Sequence, residues 1–187
     1  MFSRNIHKVL LESIKVVLSE SYEKYAGLVE KVIDEANEYL SEYGLSVFYQ
    51  KNYDFSFGMA KNFLAVYKTG SVRRNNGRMS VSINFENLLD CMDRKNVKDV
   101  EFQIRLSIFH EVGHGIVEWI KSLRRKDTQG GFGLFRGDMV NDFRAILRDE
   151  ENVVEEFGAF NAYWSSYSVL NYFLTDYRDI LLEIAGK

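Results

Sequence analysis

Apolar positions along the chain follow two different periods. Residues 3–19 carry Ile6, Val9, Leu10, Ile14, Val17 and Leu18, the spacing of one helical face. A second helix is predicted from Ser21, a favourable N-cap, to about Tyr43, with Gly44 as its stop signal. Together they predict an N-terminal helical hairpin over residues 1–44. The period then shortens. LSVFYQ (45–50), DFSFGMA (54–60), NFLAVYK (62–68) and MSVSINF (79–85) are short, rich in β-branched and aromatic residues, and separated by glycine and asparagine. They predict strands of a small, mostly antiparallel sheet. The Asn-Gly pair within SVRRNNGR (71–78) is a strong hairpin signal.

A short helix is expected at 86–93, and the helical period returns from about Val97 to Lys126. There Ile104, Ile108, Val112, Ile116, Trp119 and Leu123 form one apolar line, broadened by Phe109, Val117 and Ile120. A helix apolar over so much of its surface belongs inside a fold. DTQGGFGLFRGD (127–138) reads as a loop: a plain connection, a lid, or a plug in a cleft. Helical pattern resumes from about Met139 to Ser166 and from about Val169 to Ile184. The order of helices, sheet and helices predicts an α+β fold, with residues 45–187 as the main domain beside the hairpin.

Composition adds exclusions. With 187 residues, 46% hydrophobic and 27% charged, the chain can bury a globular core without staples. A net charge of −3 lacks the basic footprint of a nucleic-acid binder. Arg73-Arg74 and Arg124-Arg125-Lys126 are short runs, read as solvated loop and helix-end charge. Cys91 is the only cysteine, so no intrachain disulfide forms, and its neighbours LLDCMDRK include no histidine to activate it. Glu12 and Lys15 interrupt the apolar N-terminal residues, so no signal-peptide core is expected, and no run is long enough to span a bilayer. A cytoplasmic protein without nucleic-acid or membrane partners is the expectation.

The chemistry concentrates in FHEVGHGIVEWI (109–120), which holds two of the three histidines. His110 and His114 stand at i and i+4, about 40° apart around a helix, so both imidazoles project to one side. That is how a helix grips one metal ion with two neutral nitrogens. Glu111, rotated by about 100°, reaches the rim of the same site, where it can hold a metal-bound water. His7 is isolated and reads as a surface or partly packed residue. A catalytic zinc usually keeps three protein ligands and one open position. Neither histidine nor cysteine follows His114, so the third ligand must be a carboxylate. DEENVVEEFGAFNAYW (149–164) is helical in pattern, with Val153, Phe157, Phe160 and Trp164 as its apolar stripe. Glu155 shares a face with the small residues Gly158, Ala159 and Ala162, whereas Glu156 lies on a bulkier surface. The small face favours Glu155 over Glu156, with Gly113 and Gly115 easing the approach from the other helix. Glu150 and Glu151 read as first-turn or surface charges.

HEVGH followed by a helical E-x-F-G resembles the gluzincin branch of zinc metallopeptidases, and the short chain is most similar to its minimal members, the minigluzincins. The likeness covers roughly residues 45–165. It implies a zincin-like fold, one zinc ion held by His110, His114 and Glu155, Glu111 as general base, and a peptide or protein substrate. In thermolysin-like enzymes an aspartate follows the ligand by four residues; Ala159 stands there, so a carboxylate orienting a histidine must come from elsewhere. Tyr163 and Tyr167 are candidate oxyanion donors, and NFLAVYK or MSVSINF could offer an edge for an extended substrate. The alternative is a zincin-fold binding or regulatory protein, silent or latent as a peptidase.

Overall fold

A computed structural model of the chain describes residues 26–52, 65–67, 78–84 and 97–186. The elements are helix α1 (26–41), strands β1 (Ser46–Asn52), β2 (Ala65–Tyr67) and β3 (Arg78–Asn84), then α2 (Val97–Gly130), α3 (Asp138–Arg148), α4 (Glu150–Asn161), α5 (Val169–Asp176) and α6 (Arg178–Ala185). Helix dominates the described chain and strand is a minor component. That overturns the expected α+β class: the protein is mostly helical. The first hairpin helix (3–19), the strand over 54–60, the Asn-Gly turn and the short helix at 86–93 lie outside the described residues.

The strand segments also depart from the mostly antiparallel expectation. β1 runs parallel to β3, in register from Ser46 opposite Arg78 to Asn52 opposite Asn84. Among the described residues, the three of β2 pair antiparallel with β3. The order β1-β3-β2 makes β3 the central strand. MSVSINF therefore has both neighbours filled and cannot provide an open edge, whereas β2, from NFLAVYK, is an outer strand among the described residues.

Helix α1 ends as its sequence predicts. Gly44 takes a left-handed φ of 63°. Its N–H donates to the Ser41 carbonyl at 2.9 Å, and the Leu45 N–H donates to that of Leu40 at 3.1 Å. This is a Schellman stop, with buried Leu40 and Leu45 as its apolar contact. Asn37 of α1 then behaves as a strand partner: its Oδ1 accepts from the Val47 N–H at 2.6 Å. The turn and this bond fix where β1 starts.

Helix α2 is the axis of the molecule. Ile104, Ile108, Val112, Ile116, Trp119 and Leu123 are all buried, as are Phe109, Val117 and Ile120. The apolar line read from the sequence is thus the core-facing surface. Arg105, 6% exposed, is a buried charged residue of this helix, as are Glu111 and Asp127. Its guanidinium donates to both Glu35 oxygens, one at 2.9 Å, and to Glu101 at 3.1 Å, which ties α1 to α2. Tyr39 adds a second tie, donating its hydroxyl to Asn171 Oδ1 of α5 at 2.9 Å. The described part of the expected hairpin therefore shares the main core.

The helix predicted from 139 to 166 breaks into α3 and α4 at Asp149 (φ −138°, ψ 43°). Asp149 starts the new helix, its carbonyl accepting from the Val153 N–H at 3.0 Å while its side chain takes the Asn152 amide at 2.8 Å. An aspartate followed by two glutamates is the composition of a helix N-terminus. The break turns α4 back across α2. The stretch 127–138 divides too: α2 continues to Gly130, and buried Asp127 accepts the N–H groups of Leu134 and Phe135 at 3.0 and 3.1 Å. Phe135 is buried against Phe143 and Phe173. That anchored segment is a structural connection.

Candidate metal centre

The site depends on how closely α4 approaches α2. Two glycines permit it. A methyl group on Gly113 would stand 3.1 Å from the Val154 side chain, and one on Gly158 would stand 2.7 Å from the Leu106 carbonyl oxygen. Val154 and Phe157, both fully buried, fill the seam, each contributing roughly 1.5–3 kcal/mol. Relative to the predicted stripe, the buried face is rotated toward Val154 and Gly158. Phe160 is half-buried and Trp164 is 77% exposed, because α4 ends at Asn161 and Tyr163 turns left-handed at φ 62°. Gly158 faces α2 because only glycine tolerates the helix backbone at that distance, and Val153 and Phe157 of the stripe are buried beside it.

This packing brings the start of α4 beside the HEVGH segment. His110 Nε2 lies 3.4 Å from Glu151 Oε1, and His114 Nε2 lies 3.6 Å from Glu151 Oε2. His110, His114 and Glu151 offer donor atoms all within 4.8 Å of one another, the one such group among the described residues. A tetrahedral site with bonds of roughly 2.0–2.2 Å puts its donor atoms roughly 3.3–3.6 Å apart. The two nitrogen–carboxylate distances lie in that range, so the group is of a size that could hold one zinc-sized ion. The histidine side chains are each about a quarter exposed, at 22% and 24%, and Glu151 is 73% exposed, so the cluster opens to solvent on one side.

Burial and the neighbouring His114 push the His110 pKa down, against the opposing pull of Glu151 and Glu155. A neutral imidazole is the ligand form. Glu150, one residue before Glu151, faces the other nitrogen of His114: Nδ1 and Glu150 Oε1 are 3.2 Å apart. Lys121 donates to Glu150 Oε2 at 3.0 Å and to Glu118 at 2.7 Å. Burial raises the Glu150 pKa, but the hydrogen bonds from Lys121 and His114 outweigh it and hold the carboxyl below its ordinary range.

Glu155, expected as the third ligand, is exposed one turn beyond Glu151 and reaches His110 through its charge rather than as part of the close group. Glu156 is exposed as well. Glu111, the expected base, is 9% exposed on the same helix as both histidines. Glu150 and Glu151, read as first-turn or surface charges, do stand in the first turn of α4, and that turn faces the two histidines. The signal that could have found them is the Asp149 N-cap, which places both glutamates in the first turn of the helix that crosses α2. A cleft of about 780 Å³ lies on another flank, lined by Glu38, Tyr39, Phe109, Phe160, Tyr163 and Trp164 among others; neither histidine nor Glu151 lines it. No helix among the described residues is long and apolar enough to cross a membrane. No family model matches the chain, and no curated protein or solved structure matches it either.

Proposed function

We propose that the protein is a zinc-dependent peptidase whose ion is held by His110, His114 and Glu151, in an intracellular setting. The observation carrying this reading is the convergence of two imidazole nitrogens and one carboxylate, 3.4 and 3.6 Å apart, from two helices packed through glycine. Bound there, zinc would supply Lewis acidity toward a peptide carbonyl and lower the pKa of a water. The chain's own residues do the rest. His110 and His114 hold their nitrogens on one side of α2 because they are one turn apart. Glu151 brings the balancing negative charge from α4. Glu111, 100° around α2 from His110, is the group to take a proton from the attacking water and return it to the leaving amine. Glu155 adds negative potential beside His110.

The test is cleavage of unfolded protein and peptide libraries by zinc-loaded protein. Glu111→Gln should lose at least about two orders of magnitude in rate, the usual scale of general-base catalysis, while retaining zinc and fold. A wild type that binds zinc and cleaves nothing would overturn the peptidase reading and leave a zinc-binding regulatory domain. Unchanged cleavage in Glu111→Gln would remove the role assigned to that residue.

A further inference from the structure

We propose that Lys121 and Glu150 form a positioning relay that sets the tautomer of His114 and so presents its Nε2 lone pair to the ion. Its consequence for metal binding rests on the zinc reading above; the tautomer itself does not.

The geometry is a chain of contacts along one side of α2. Lys121, two turns after His114, is held between Glu118 at 2.7 Å and Glu150 at 3.0 Å. Its ammonium can only donate, so it occupies Glu150 Oε2. That leaves Glu150 Oε1, which lies 3.2 Å from His114 Nδ1. An ionised carboxylate can only accept, so Nδ1 must carry the proton. In a neutral imidazole the lone pair is then on Nε2, the nitrogen 3.6 Å from Glu151. Two adjacent glutamates of α4 thus divide the labour: Glu151 faces the ion's position and Glu150 orients the ligand opposite. Partners of this kind typically contribute 10–100-fold in metal affinity. Here the orienting carboxylate arrives from the residue before the ligand. The lysine clamp explains why a first-turn glutamate, otherwise free to point to water, keeps one orientation.

The experiment uses the full chain. Nitrogen-15 NMR of the metal-free protein, at mildly alkaline pH, reads the tautomer of each histidine ring. Wild-type His114 should be Nδ1-protonated. Glu150→Ala should shift it toward the Nε2-protonated form that free histidine prefers, and Lys121→Met should shift it part of the way. His110, which Glu150 does not touch, serves as the internal control. In competition titrations with zinc alone, Glu150→Ala should bind 10–100-fold more weakly, with a smaller loss for Lys121→Met. An Nε2-protonated His114 in the wild type, or a tautomer unchanged by Glu150→Ala, would overturn the relay, as would equal zinc affinity in that variant. If the wild type binds no zinc, the peptidase reading fails, while the tautomer still decides the relay.

Discussion

Adding one methyl group at Gly158 tests the helix crossing on which the metal centre depends. In Gly158→Ala the new Cβ would sit 2.7 Å from the Leu106 carbonyl oxygen and 3.2 Å from the His110 backbone nitrogen. Both are backbone atoms of α2, so neither can swing aside. The helices must separate by roughly 0.5 Å to restore normal contact, loosening the fully buried Val154 and Phe157 beside them. Overpacking of this kind costs about 1–3 kcal/mol, while alanine's better helix propensity returns about 1 kcal/mol. Because both obstacles are backbone atoms the cost lies in the upper part of that range, about 2–3 kcal/mol, and the expected net destabilisation is about 1–2 kcal/mol. Gly113→Ala provides the comparison. Its methyl would meet the Val154 side chain at 3.1 Å and the Phe157 ring at 3.3 Å, both side chains able to yield by a few tenths of an ångström. There the propensity gain offsets the strain, and stability should stay within about 0.5 kcal/mol of wild type. Urea unfolding followed by far-UV circular dichroism measures both variants. A Gly158→Ala protein as stable as wild type, or less affected than Gly113→Ala, would show that α4 does not cross α2 as closely as described.

Other consequences follow from single contacts. Glu151→Ala should weaken zinc binding far more than Glu155→Ala, because among the described residues Glu151 is the carboxylate grouped with both histidine nitrogens; equal losses in metal titrations would return Glu155 to the ligand set. Asp127→Ala leaves the Leu134 and Phe135 N–H groups without their acceptor and should cost about 2–3 kcal/mol; an unchanged midpoint in thermal unfolding would show that the segment is not held there. The hydrogen bond from Arg105 is the main cause holding the Glu35 carboxyl below its ordinary value of 4.5, against the effect of burial. A carboxyl whose folded pKa is depressed stabilises the protein above its unfolded pKa and loses that contribution as pH falls through the folded one. Glu35→Gln should therefore cost about 1–2 kcal/mol near neutrality, and the difference from wild type should shrink below about pH 4.5. A constant difference down to the acid transition would contradict that origin.

The parts of the fold legible in the sequence are those set by local rules. The α2 core line is read from helical period alone, since its apolar positions recur three and four residues apart. Gly44 is read as a stop because the left-handed residue of a Schellman turn is usually glycine. The histidine pair is read because i, i+4 spacing is a property of one helix. What escaped depends on relations between elements. The parallel pairing of β1 with β3 is not encoded in either strand's pattern. The predominance of helix escaped because the strands are short, seven, three and seven residues, beside a central helix of 34 residues that runs past the predicted loop start. The break at Asp149 escaped because the apolar spacing runs on through it, and that break moves the nearest carboxylate from Glu155 to Glu151. The rotation of α4 was half legible. Gly158 marks the face, but only a neighbouring backbone shows that it must be buried in preference to Phe160 and Trp164.

The most direct test of the central claim is the zinc stoichiometry of chelator-stripped protein, measured by competition titration in wild type and in His110→Ala. One equivalent of zinc bound by the wild type, and lost in the variant at the same concentrations, is the predicted result. A wild type that takes up no zinc, or a His110→Ala protein that binds it with undiminished affinity, would contradict the account.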